Sequence, residues 1–374
     1  MGIGRPGRSA HMTTVSLRND MRLVWNRFCD ESGSAWFRHM TQFLDYTVNC
    51  RFDEKGRDLS FLIMQNNEPV AIAPLILQRI CEEPEFYEFA FAGTNTPFPA
   101  FKEGLSYETK RALTKEIFAE IDRLASEHGV AYSRFFVDPL VDDVLNASQR
   151  INPITKYGYH ETSLSTNIIN LDLPCEDIFA QMRKGHKADI RAAIKNKCEV
   201  SIYSAKNITE DIFSIYKDLH FRDAGRKTRP DVTWDMMYQF IKEGKYILAL
   251  LEKDKRCVTG ALVTVYKNKA AYASGATNPA NAEERGAGHF LQWKIIEYLK
   301  NSGARYYETG WNFYPNISQN VVSDKDISIS KFKSGFGGDM YPVFRGEKFY
   351  SKEYFAGLYR HRADEYSKMI GQKW

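Results

Sequence analysis

Apolar runs separated by turn-forming residues predict an ordered series of strands and helices in the first half of the chain. In chain order these are a helical entry region (17–46), strands at 60–64, 70–77 and 86–92, a helix (107–128) and a further strand (130–137). The segment 65–69, between the first two strands, has the residue types of a hairpin turn. Gly129 can adopt the left-handed conformation that terminates many helices. The predicted order is therefore strand, strand, strand, helix, strand.

The second half of the chain repeats this order. Its predicted strands lie at 246–251, 257–266 and 270–274, followed by a helix (288–301) and a strand (304–309). In both halves a glycine, Gly129 or Gly303, lies at the joint between the helix and the last strand. An internal duplication explains this repeat, and the alternative is a coincidence of two ordinary α/β patterns.

The segments outside the two repeats are predicted to be helical. Helices are expected at 176–197 and 208–224, and a docking helix at 352–369. We therefore predict an α/β fold with mixed sheets, made of two similar lobes with a cleft between them. The expected parts are a vector-derived leader (1–12), a first lobe (13–160), a second lobe (161–345) and a C-terminal docking helix (346–374).

The composition is that of a globular protein with two domains. The chain has 374 residues, of which 43% are hydrophobic and 26% are charged, and this length exceeds that of a typical single domain. Its formal net charge is only +4, whereas a dedicated duplex-DNA binder is expected to be strongly basic. No apolar stretch approaches the roughly 20 residues that span a bilayer, and the N-terminus lacks the apolar core of a signal peptide. We therefore expect a cytoplasmic protein without a transmembrane segment.

Six cysteines are scattered along the chain, at positions 29, 50, 81, 175, 198 and 257. None of them belongs to a CxxC motif or has a nearby histidine partner in metal-ligand spacing. The sequence therefore predicts reduced, buried thiols, with no metal site and no disulfide framework.

The most informative motif is the segment 329–338, which reads ISKFKSGFGG. Lys333 lies between two aromatic residues, Phe332 and Phe336, beside glycines that let a backbone approach a ligand closely. A cation in this setting suits the binding of a phosphate or of a developing oxyanion. The alternatives are a surface lysine near a turn for Lys333 and an ordinary core residue for Phe332.

Together with the repeat, this motif resembles the FemABX-like branch of the GNAT acyltransferase superfamily, which includes peptidoglycan-bridge aminoacyltransferases and polysaccharide-pathway acyltransferases. The resemblance lies in the glycine-then-helix segment 286–293, the acidic strand end 305–310, the closing motif 332–337 and the basic helix 182–191. The chain departs from the family pattern at His289, where many relatives carry Asn, and at Glu283, where simple GNAT enzymes favour Gln or Arg. It also lacks the long coiled-coil arm of some bridge-forming members.

The resemblance implies acyl transfer to an amine, in which the amine loses a proton and the carbonyl oxygen is stabilised as it becomes anionic. Lys333 would stabilise the oxyanion, and Phe332 would position it. Glu308, at the end of a central strand, is the candidate base, and the alternative is an exposed or salt-bridged glutamate. Strand alternation places Tyr307 on the opposite face of the sheet from Glu308. Trp311 could stack on a sugar or base, or pack in the core.

The expected cofactor-binding residues are Gly286, Gly288 and His289, with acyl-CoA as the donor. Backbone N–H groups at a helix start can face an anionic ligand, although simple turn chemistry also explains the two glycines. His289 could accept a proton, but the positive end of the helix lowers its basicity. The acid at Glu283 weakens the case for a standard coenzyme A pyrophosphate loop.

Basic side chains form two further groups of candidate substrate-binding residues. Arg183, Lys187 and Arg191 recur at every fourth residue and form one stripe on a helix. This stripe could hold the phosphates of a nucleotide-linked sugar or of a tRNA acceptor end. Arg222 and Arg226 lie in a cationic loop whose length and charge suit substrate capture. The alternatives are a solvated helix face and a plain exposed loop.

We therefore predict an N-acyltransferase that moves an acyl or aminoacyl group from a thioester donor to an amine of a cell-envelope precursor, such as a nucleotide-linked amino sugar. No cysteine or serine lies in a nucleophile signature, so no acyl-enzyme is expected. One alternative is an aminoacyl-tRNA-dependent peptidoglycan-bridge transferase. The other is a non-catalytic sugar- or nucleotide-binding module on the same scaffold.

Overall fold

The computed structural model describes residues 12–80, 85–281, 284–314 and 322–370. Most of the expected leader, residues 1–11, lies outside the described residues, as do Cys81 and Glu283. The first described residue, Met12, already belongs to a strand.

The first lobe contains the predicted series of strands and the long helix. Its strands are β1 (Met12–Ser16), β2 (Arg57–Asp58), β3 (Phe61–Gln65), β4 (Glu68–Ala73), β5 (Ile76–Ile80), β6 (Phe86–Phe89), β7 (Thr96–Pro97), β8 (Ala100–Phe101), β9 (Val130–Phe136) and β10 (His160–Glu161). Its helices are α1 (Arg22–Glu31), α2 (Thr41–Val48), α3 (Tyr107–Glu127) and α4 (Asp142–Leu145). Helix α3 begins where the Ser106 side chain accepts a hydrogen bond from the Thr109 N–H, and it ends before Gly129, which has the predicted left-handed conformation with φ +61°. The single strand predicted at 70–77 is wrong, because the chain bends after β4 and β5 pairs in a different sheet.

The second lobe contains the repeated series. Its strands are β11 (Leu164–Asn170), β12 (Glu199–Tyr203), β13 (Tyr246–Lys253), β14 (Arg256–Tyr266), β15 (Lys269–Thr277), β16 (Tyr306–Asn312) and β17 (Asp339–Val343). Its helices are α5 (Cys175–Gln181), α6 (Lys184–Lys195), α7 (Glu210–Ala224), α8 (Asp231–Lys242), α9 (Ala287–Asn301) and α10 (Asp324–Ser334). The continuous helix predicted at 176–197 is wrong, because Met182 and Arg183 have extended ψ angles of 149° and 145° that separate α5 from α6. A strand, β18 (Arg345–Phe349), and the predicted C-terminal helix, α11 (Lys352–Met369), complete the described chain.

The named strands of the described residues form three sheets. The first lobe has one sheet in the order β1-β3-β4-β8 and one in the order β10-β18-β9-β6-β5-β2, with β7 also paired to β9. The second lobe has a single sheet in the order β12-β13-β14-β15-β16-β11-β17. In each lobe the long helix connects two parallel strands, β6 to β9 or β15 to β16. The predicted α/β fold of two similar lobes is therefore confirmed.

One strand that follows the second lobe in the chain belongs to a sheet of the first lobe. Strand β18 follows the second lobe in the chain but pairs with β9 and β10 of the first, so the boundary expected at residue 345 coincides with a first-lobe strand. Helix α11 then packs on the first lobe through an ion pair of 2.6 Å between Arg362 and Glu347, whose side chains are each only 3% exposed. Removal of either partner would leave a buried charge at a cost of about 3–5 kcal/mol, so this pair fixes the position of α11.

A continuous apolar core also joins the lobes. The ring of Phe37 in the first lobe lies 5.3 Å from that of Phe240 and 5.5 Å from that of Tyr246 in the second. Burial of each such side chain contributes roughly 1.5–3 kcal/mol. This core lies on the face of the second-lobe sheet that packs against α7 and α8. A second core covers the opposite face, against α6 and α9.

Candidate active site

The two parallel strands of the second lobe separate partway along their length. Strands β15 and β16 pair only through residues 269–271 and 306–308, although both continue beyond them. Each strand is irregular where the separation begins. The pairing of β15 with β14 skips Ala273, and the pairing of β16 with β11 skips Thr309 and Gly310. Such bulges bend a strand and interrupt its pairing, so a gap opens in which β15 and β16 are not paired with each other.

A cavity of about 480 Å³ fills this gap. It extends from α9 on one face of the sheet to α7 on the other, and α10 and strands β14 to β16 form the rest of its wall. The chemically notable residues in the wall are Asp223, Tyr272, Gly288, Thr309, Phe332 and Lys333. This volume suits a small ligand or the reactive end of a larger one.

Lys333 lies in the last turn of α10 and contributes its side chain to the cavity wall. Its ammonium nitrogen is 5.3 Å from the centroid of the Tyr272 ring. No side chain within the described ranges forms a hydrogen bond or an ion pair with this ammonium group. Burial lowers the pKa of Lys333, and the charges of Glu308 and Asp326 oppose that shift. The amino group of Lys333 is therefore available to hydrogen-bond to whatever occupies the cavity.

Gly310 allows Lys333 to approach strand β16 closely. The glycine has φ +107°, a value that side-chain-bearing residues rarely adopt. A Cβ atom at this position would lie 2.6 Å from the Lys333 Nζ. The absence of a side chain at residue 310 therefore determines where the ammonium group lies.

The aromatic rings of Phe332 and Phe336 line the end of the cavity nearest to α9. A Cβ atom placed on Gly288 would lie 3.6 Å from the Phe332 ring. The backbone carbonyl oxygen of Phe332 accepts a hydrogen bond of 2.9 Å from Nε2 of His186. His289 packs edge-on against His186 and Phe332, with ring centroids 4.5 and 4.9 Å away. Burial lowers the pKa of His289 to about 4, and the charge of His186 adds to this shift. His289 is therefore a neutral, packed member of this aromatic group at pH 7.

Glu308 is buried on the other side of β16, where the first lobe approaches the second. Burial raises the pKa of Glu308 to about 7, and the charge of Asp138 raises it further. A hydrogen bond of 2.8 Å from Oγ1 of Thr166 and the positive charges of Arg38 and Lys333 act in the opposite direction. The carboxyl group is therefore balanced between its neutral and ionised forms near neutral pH, as a general base requires.

Tyr307 and Glu308 face opposite sides of the sheet, as the strand alternation predicts. The Tyr307 hydroxyl donates a hydrogen bond of 2.7 Å to Gln292 of α9, whereas Glu308 contacts Thr166 of β11. Glu308 does not form part of the cavity wall. The candidate base and the candidate oxyanion-stabilising lysine thus approach the gap from different directions.

Trp311 packs between the lobes rather than in the cavity. Its ring lies 5.5 Å from that of Phe136, and the Arg345 guanidinium lies 5.2 Å from the Trp311 ring centroid. Arg38 of the first lobe lies beside the same ring: its guanidinium is 5.4 Å from the Phe136 ring centroid and 3.8 Å from the Asp138 carboxylate. These residues form a half-buried seam next to Glu308.

Helix α6 packs against the glycine turn that precedes α9. A Cβ atom on Gly286, which has φ +82°, would collide with the backbone carbonyl of Asp189. The Asp189 carboxylate pairs with Arg285 at 2.9 Å and lies 3.9 Å from Nε2 of His289. A carboxylate, paired with Arg285, already lies near the positive end of α9, so a pyrophosphate group at this turn would meet a like charge. The cavity wall combines glycine, alanine and aromatic residues with the charged side chains of Asp223, Lys325 and Lys333, and its volume is sufficient for an acyl thioester arm.

The predicted basic stripe at the start of α6 and along it lies outside the cavity wall, and its members contact other segments of the second lobe. Arg183 donates a hydrogen bond of 3.1 Å to a carbonyl group in α10, and Lys187 donates one of 2.9 Å to a carbonyl group in α5. The Arg191 guanidinium lies 5.6 Å from the ring centroid of Phe179. None of these three cations therefore lines the cavity with Lys333, although Arg183 also donates a hydrogen bond of 3.2 Å to Ser334, the residue after Lys333.

In the charged segment formed by the last turn of α7 and the loop after it, Asp223 contributes to the cavity wall. Arg222 and Arg226 are exposed and outside its wall. The Asp223 carboxylate accepts a hydrogen bond of 3.1 Å from the backbone N–H of Thr277. Sequence reasoning missed Asp223 because its neighbours in the sequence are also charged, and spacing alone does not show which of these exposed residues borders the cavity.

Sequence reasoning also missed the first-lobe residues Arg38 and Asp138. Asp138 follows strand β9, so the rule that selected Glu308 at a strand end could have found it. Arg38 lies in a short turn before α2 with no recognisable pattern.

No group of three or more histidine, cysteine, aspartate or glutamate side chains able to hold a metal ion occurs within the described ranges. None of the described helices combines the length and apolar character needed to cross a membrane.

Comparison with known proteins identifies the second lobe. Residues 181–315, which include both strands of the gap, match the family model described as an acetyltransferase (GNAT) domain. A search of curated protein sequences finds no match.

Solved structures match nearly the whole chain at low sequence identity. FemX is 12% identical and superimposes with a TM-score of 0.61, covering 93% of this chain and 100% of FemX. L-PGS from Bacillus licheniformis is 11% identical, with a TM-score of 0.56 and coverage of 95% and 98%. The C-terminal domain of a putative lysylphosphatidylglycerol synthetase from Agrobacterium fabrum is 12% identical, with a TM-score of 0.53 and coverage of 94% and 96%. At these identities the similarity establishes the fold, which is that of FemX-like tandem lobes.

Proposed function

Because the chain is a GNAT-type N-acyltransferase with a FemX-like fold, we propose that it transfers an acyl or aminoacyl group from a thioester donor to an amine of a cytoplasmic cell-envelope precursor. The observation that carries this proposal is the open gap of the second lobe, where Lys333 lies unpaired, among the described residues, beside a cavity of about 480 Å³. The resemblance to enzymes of peptidoglycan and polysaccharide pathways supports an acceptor such as a nucleotide-linked amino sugar.

The donor carbonyl would lie in the gap, next to Lys333 and the free edge of β15. Attack by the amine turns the carbonyl oxygen into an oxyanion, and preorganised donors in a water-poor site stabilise that charge most strongly. The Lys333 ammonium and backbone amides of β15 beyond Ala271, where its pairing with β16 ends, would be such donors. The tetrahedral intermediate then collapses, the carbon–sulfur bond breaks, and the thiolate leaves with the electron pair.

Glu308 would remove the proton of the attacking amine. A base must be ionised in the resting enzyme, and the pKa of Glu308, raised by burial to about 7, allows this at neutral pH while keeping the carboxylate basic enough to accept the proton. The position of Glu308 on the first-lobe side of β16 supports an acceptor that approaches along the seam between the lobes. Trp311 and Arg38 line that seam.

A second candidate donor is an aminoacyl ester on the acceptor end of a tRNA. One specific observation favours it: the Asp189 carboxylate complements the start of α9, where a coenzyme A pyrophosphate would otherwise bind. Such a donor needs only its aminoacyl end in the gap. The basic stripe of Arg183, Lys187 and Arg191 would then lie on the approach to α10.

The test is a transfer assay with paired lysine variants. The purified protein is incubated with acetyl-CoA, acetyl-pantetheine or alanyl-tRNA and with UDP-glucosamine, and the product is detected by mass spectrometry. Lys333→Ala should lower kcat by roughly 100- to 1,000-fold, which is typical for the loss of an oxyanion donor. Lys331→Ala, an exposed neighbour on the same helix, should retain wild-type turnover.

Two outcomes would contradict the proposal. Equal turnover in Lys333→Ala and Lys331→Ala would remove the lysine from the chemistry. Stabilisation of the wild-type protein by UDP-glucosamine in a thermal-shift measurement, without turnover of any of the donors, would instead support the non-catalytic binding module.

A further inference from the structure

The glycines of the closing motif do not line the cavity. Its wall includes the two phenylalanines and the lysine of the segment 332–338, but none of the three glycines there. A Cβ atom on Gly335 would lie 2.2 Å from the His186 ring, and one on Gly338 would lie 2.6 Å from the carbonyl oxygen of Ile168. These glycines therefore allow other protein segments to approach closely, whereas the motif predicted the close approach of a ligand.

The segment that packs against Gly335 is the start of α6. The backbone N–H of Arg183 donates a hydrogen bond of 3.0 Å to the Gly335 carbonyl oxygen, and the Arg183 guanidinium donates one of 3.1 Å to that of Lys331. Nε2 of His186 donates one of 2.9 Å to the carbonyl oxygen of Phe332. The last four carbonyl groups of a helix lack intrahelical partners, so α6 supplies donors to the end of α10.

His186 is the buried member of this pair of donors. It is 8% exposed, whereas Arg183 is exposed, and its ring packs edge-on against that of Phe336, with centroids 4.8 Å apart. A carbonyl oxygen only accepts, so the Nε2 atom carries the hydrogen. Because a close-packed side chain has little freedom to move, His186 fixes the backbone at Phe332, the residue before Lys333.

The Lys333 ammonium has no side-chain partner that would fix its position. No side chain of the described residues forms a hydrogen bond or an ion pair with it. It lies 5.3 Å from the centroid of the Tyr272 ring and beside Gly310 of β16. The position of the ammonium group therefore depends on where the end of α10 lies.

We propose that His186 is a positioning residue of the transfer reaction, which holds the Phe332 carbonyl group and so places the Lys333 ammonium beside β16. The inference rests on the proposed acyl transfer and adds a residue that acts through Lys333. His186 lies outside the cavity wall, so its loss should reduce turnover without weakening substrate binding. Helix α6 then contributes to the site through a buried histidine.

The position of Lys333 is measured by NMR, without turnover, on protein whose lysines carry ¹³C at Cε. The Lys333 resonance is the one that is missing from Lys333→Ala. His186→Leu removes the donor and should move this resonance towards those of exposed lysines, because the side chain leaves the Tyr272 ring. His186→Gln has an amide N–H that can donate to the same carbonyl oxygen, so it should restore the wild-type resonance. Gly185→Ala, an exposed change on α6 with nothing within 4 Å, should leave it in place.

A second variant tests the same contact while histidine remains. Gly335 has φ −73°, which any residue adopts, so Gly335→Ala adds no backbone strain. The new methyl group would displace the His186 ring and should move the Lys333 resonance as His186→Leu does. Thermal unfolding of each variant shows that the change occurs in folded protein.

Steady-state kinetics then test whether the histidine acts through the lysine. His186→Leu should lower kcat by about 10- to 100-fold, as expected for a displacement of up to about 1 Å, and should change KM by less than about twofold. His186→Gln should recover most of the rate. In a Lys333→Ala background, His186→Leu should cause no further loss of kcat, because the two residues act as a unit.

Three results would overturn the proposal. The first is an equal loss of kcat in both backgrounds, which would mean that His186 supports the fold alone. The second is a Lys333 resonance that stays in place in both His186→Leu and Gly335→Ala. The third is a failure of His186→Gln to recover either the resonance or the rate. If the wild-type protein turns over none of the donors, the proposed acyl transfer fails, and the NMR measurement still decides whether His186 positions Lys333.

Discussion

The two lobes share one strand–helix–strand unit but differ in what lies between its parallel strands. In the second lobe, β15 and β16 diverge after three paired residues each, and the gap holds a cavity. In the first lobe, the equivalent strands β6 and β9 also stop pairing, but β7 takes the vacated edge of β9 and pairs through Thr96 and Pro97. The Asn95 side chain adds a hydrogen bond of 3.2 Å to the carbonyl oxygen of Phe135. The first lobe thus fills its own gap.

This difference separates topology from activity. Duplication supplies two similar scaffolds, but within the described residues only the second lobe leaves the gap between its two parallel strands unfilled, and this is where we propose that the acyl donor binds. Function therefore depends on what occupies the gap and not on the shared fold. The first lobe still contributes from outside, because Asp138 and Arg38 act on the pKa of Glu308.

The largest expected effect tests whether Glu308, at the seam of the two lobes, takes part in the reaction. Glu308→Gln removes the candidate base, so kcat should fall by roughly 100- to 10,000-fold. In the wild type the ionised carboxylate is the active form, so the rate should fall as the pH drops below about 7. This decrease at low pH, the acid limb of the pH–rate profile, should be absent from the residual activity of Glu308→Gln.

Glu199→Gln, an exposed change on the edge strand β12, provides the control and should keep both the rate and the limb. The measurement is kcat/KM between pH 5 and 9, with the range chosen to span roughly two units around the expected midpoint. An unchanged acid limb in Glu308→Gln would assign the titration to another group.

The second test adds a methyl group beside the open gap of the second lobe and compares the result with a matched glycine substitution in the first lobe. Gly310→Ala should lower kcat by about 100-fold, because a displacement of the reacting groups by about 1 Å has an effect of that size and the new methyl group would displace the Lys333 ammonium. Gly93→Ala also places a side chain at positive φ, +75°, but nothing lies within 4 Å of it. That variant should lose stability only.

Steady-state kinetics together with thermal unfolding distinguish the two glycine variants. Both should unfold at lower temperature, since each adds roughly 1–2 kcal/mol of backbone strain. Comparable activity in the two would mean that the position of Lys333 against β16 is unimportant.

Local patterns predicted the elements of the fold well and their long-range arrangement less well. Helix α3 and the strands of both repeats follow from apolar periodicity and helix-terminating glycines, which are properties of neighbouring residues. The division of the run 70–77 between two sheets, and the return of β18 to the first lobe, depend on contacts between distant segments. The same holds in the site: a sequence motif identifies Lys333, whereas the packing of α7 and of the first lobe brings Asp223 and Asp138 to the site.

The third test destabilises the segment that fills the first-lobe gap. Asn95 is 2% exposed, and Asn95→Ala removes its hydrogen bond to Phe135 and leaves a buried carbonyl, at a cost of about 1–3 kcal/mol. Denaturant unfolding should show this loss, while transfer activity stays unchanged. Asn301→Ala, at the exposed end of α9, is the control and should alter stability by less than about 0.5 kcal/mol. A gain or loss of turnover in Asn95→Ala would show that the filled gap still takes part in catalysis.

The smallest expected effect tests whether the first lobe adjusts the base of the second. The negative charge of Asp138 disfavours the ionised form of Glu308, so Asp138→Asn should make ionisation easier and lower the pKa of Glu308. The acid limb of the pH–rate profile should then move to lower pH, while the rate on the alkaline plateau stays near that of the wild type. Asparagine can keep the hydrogen bond that the Asp138 carboxylate accepts from the Leu140 N–H at 3.0 Å, so the local structure should survive. Asp143→Asn, a surface change on α4, should leave the limb in place. If the limb of Asp138→Asn stays fixed or moves to higher pH, the first lobe does not set the charge of Glu308, and its contribution is limited to packing.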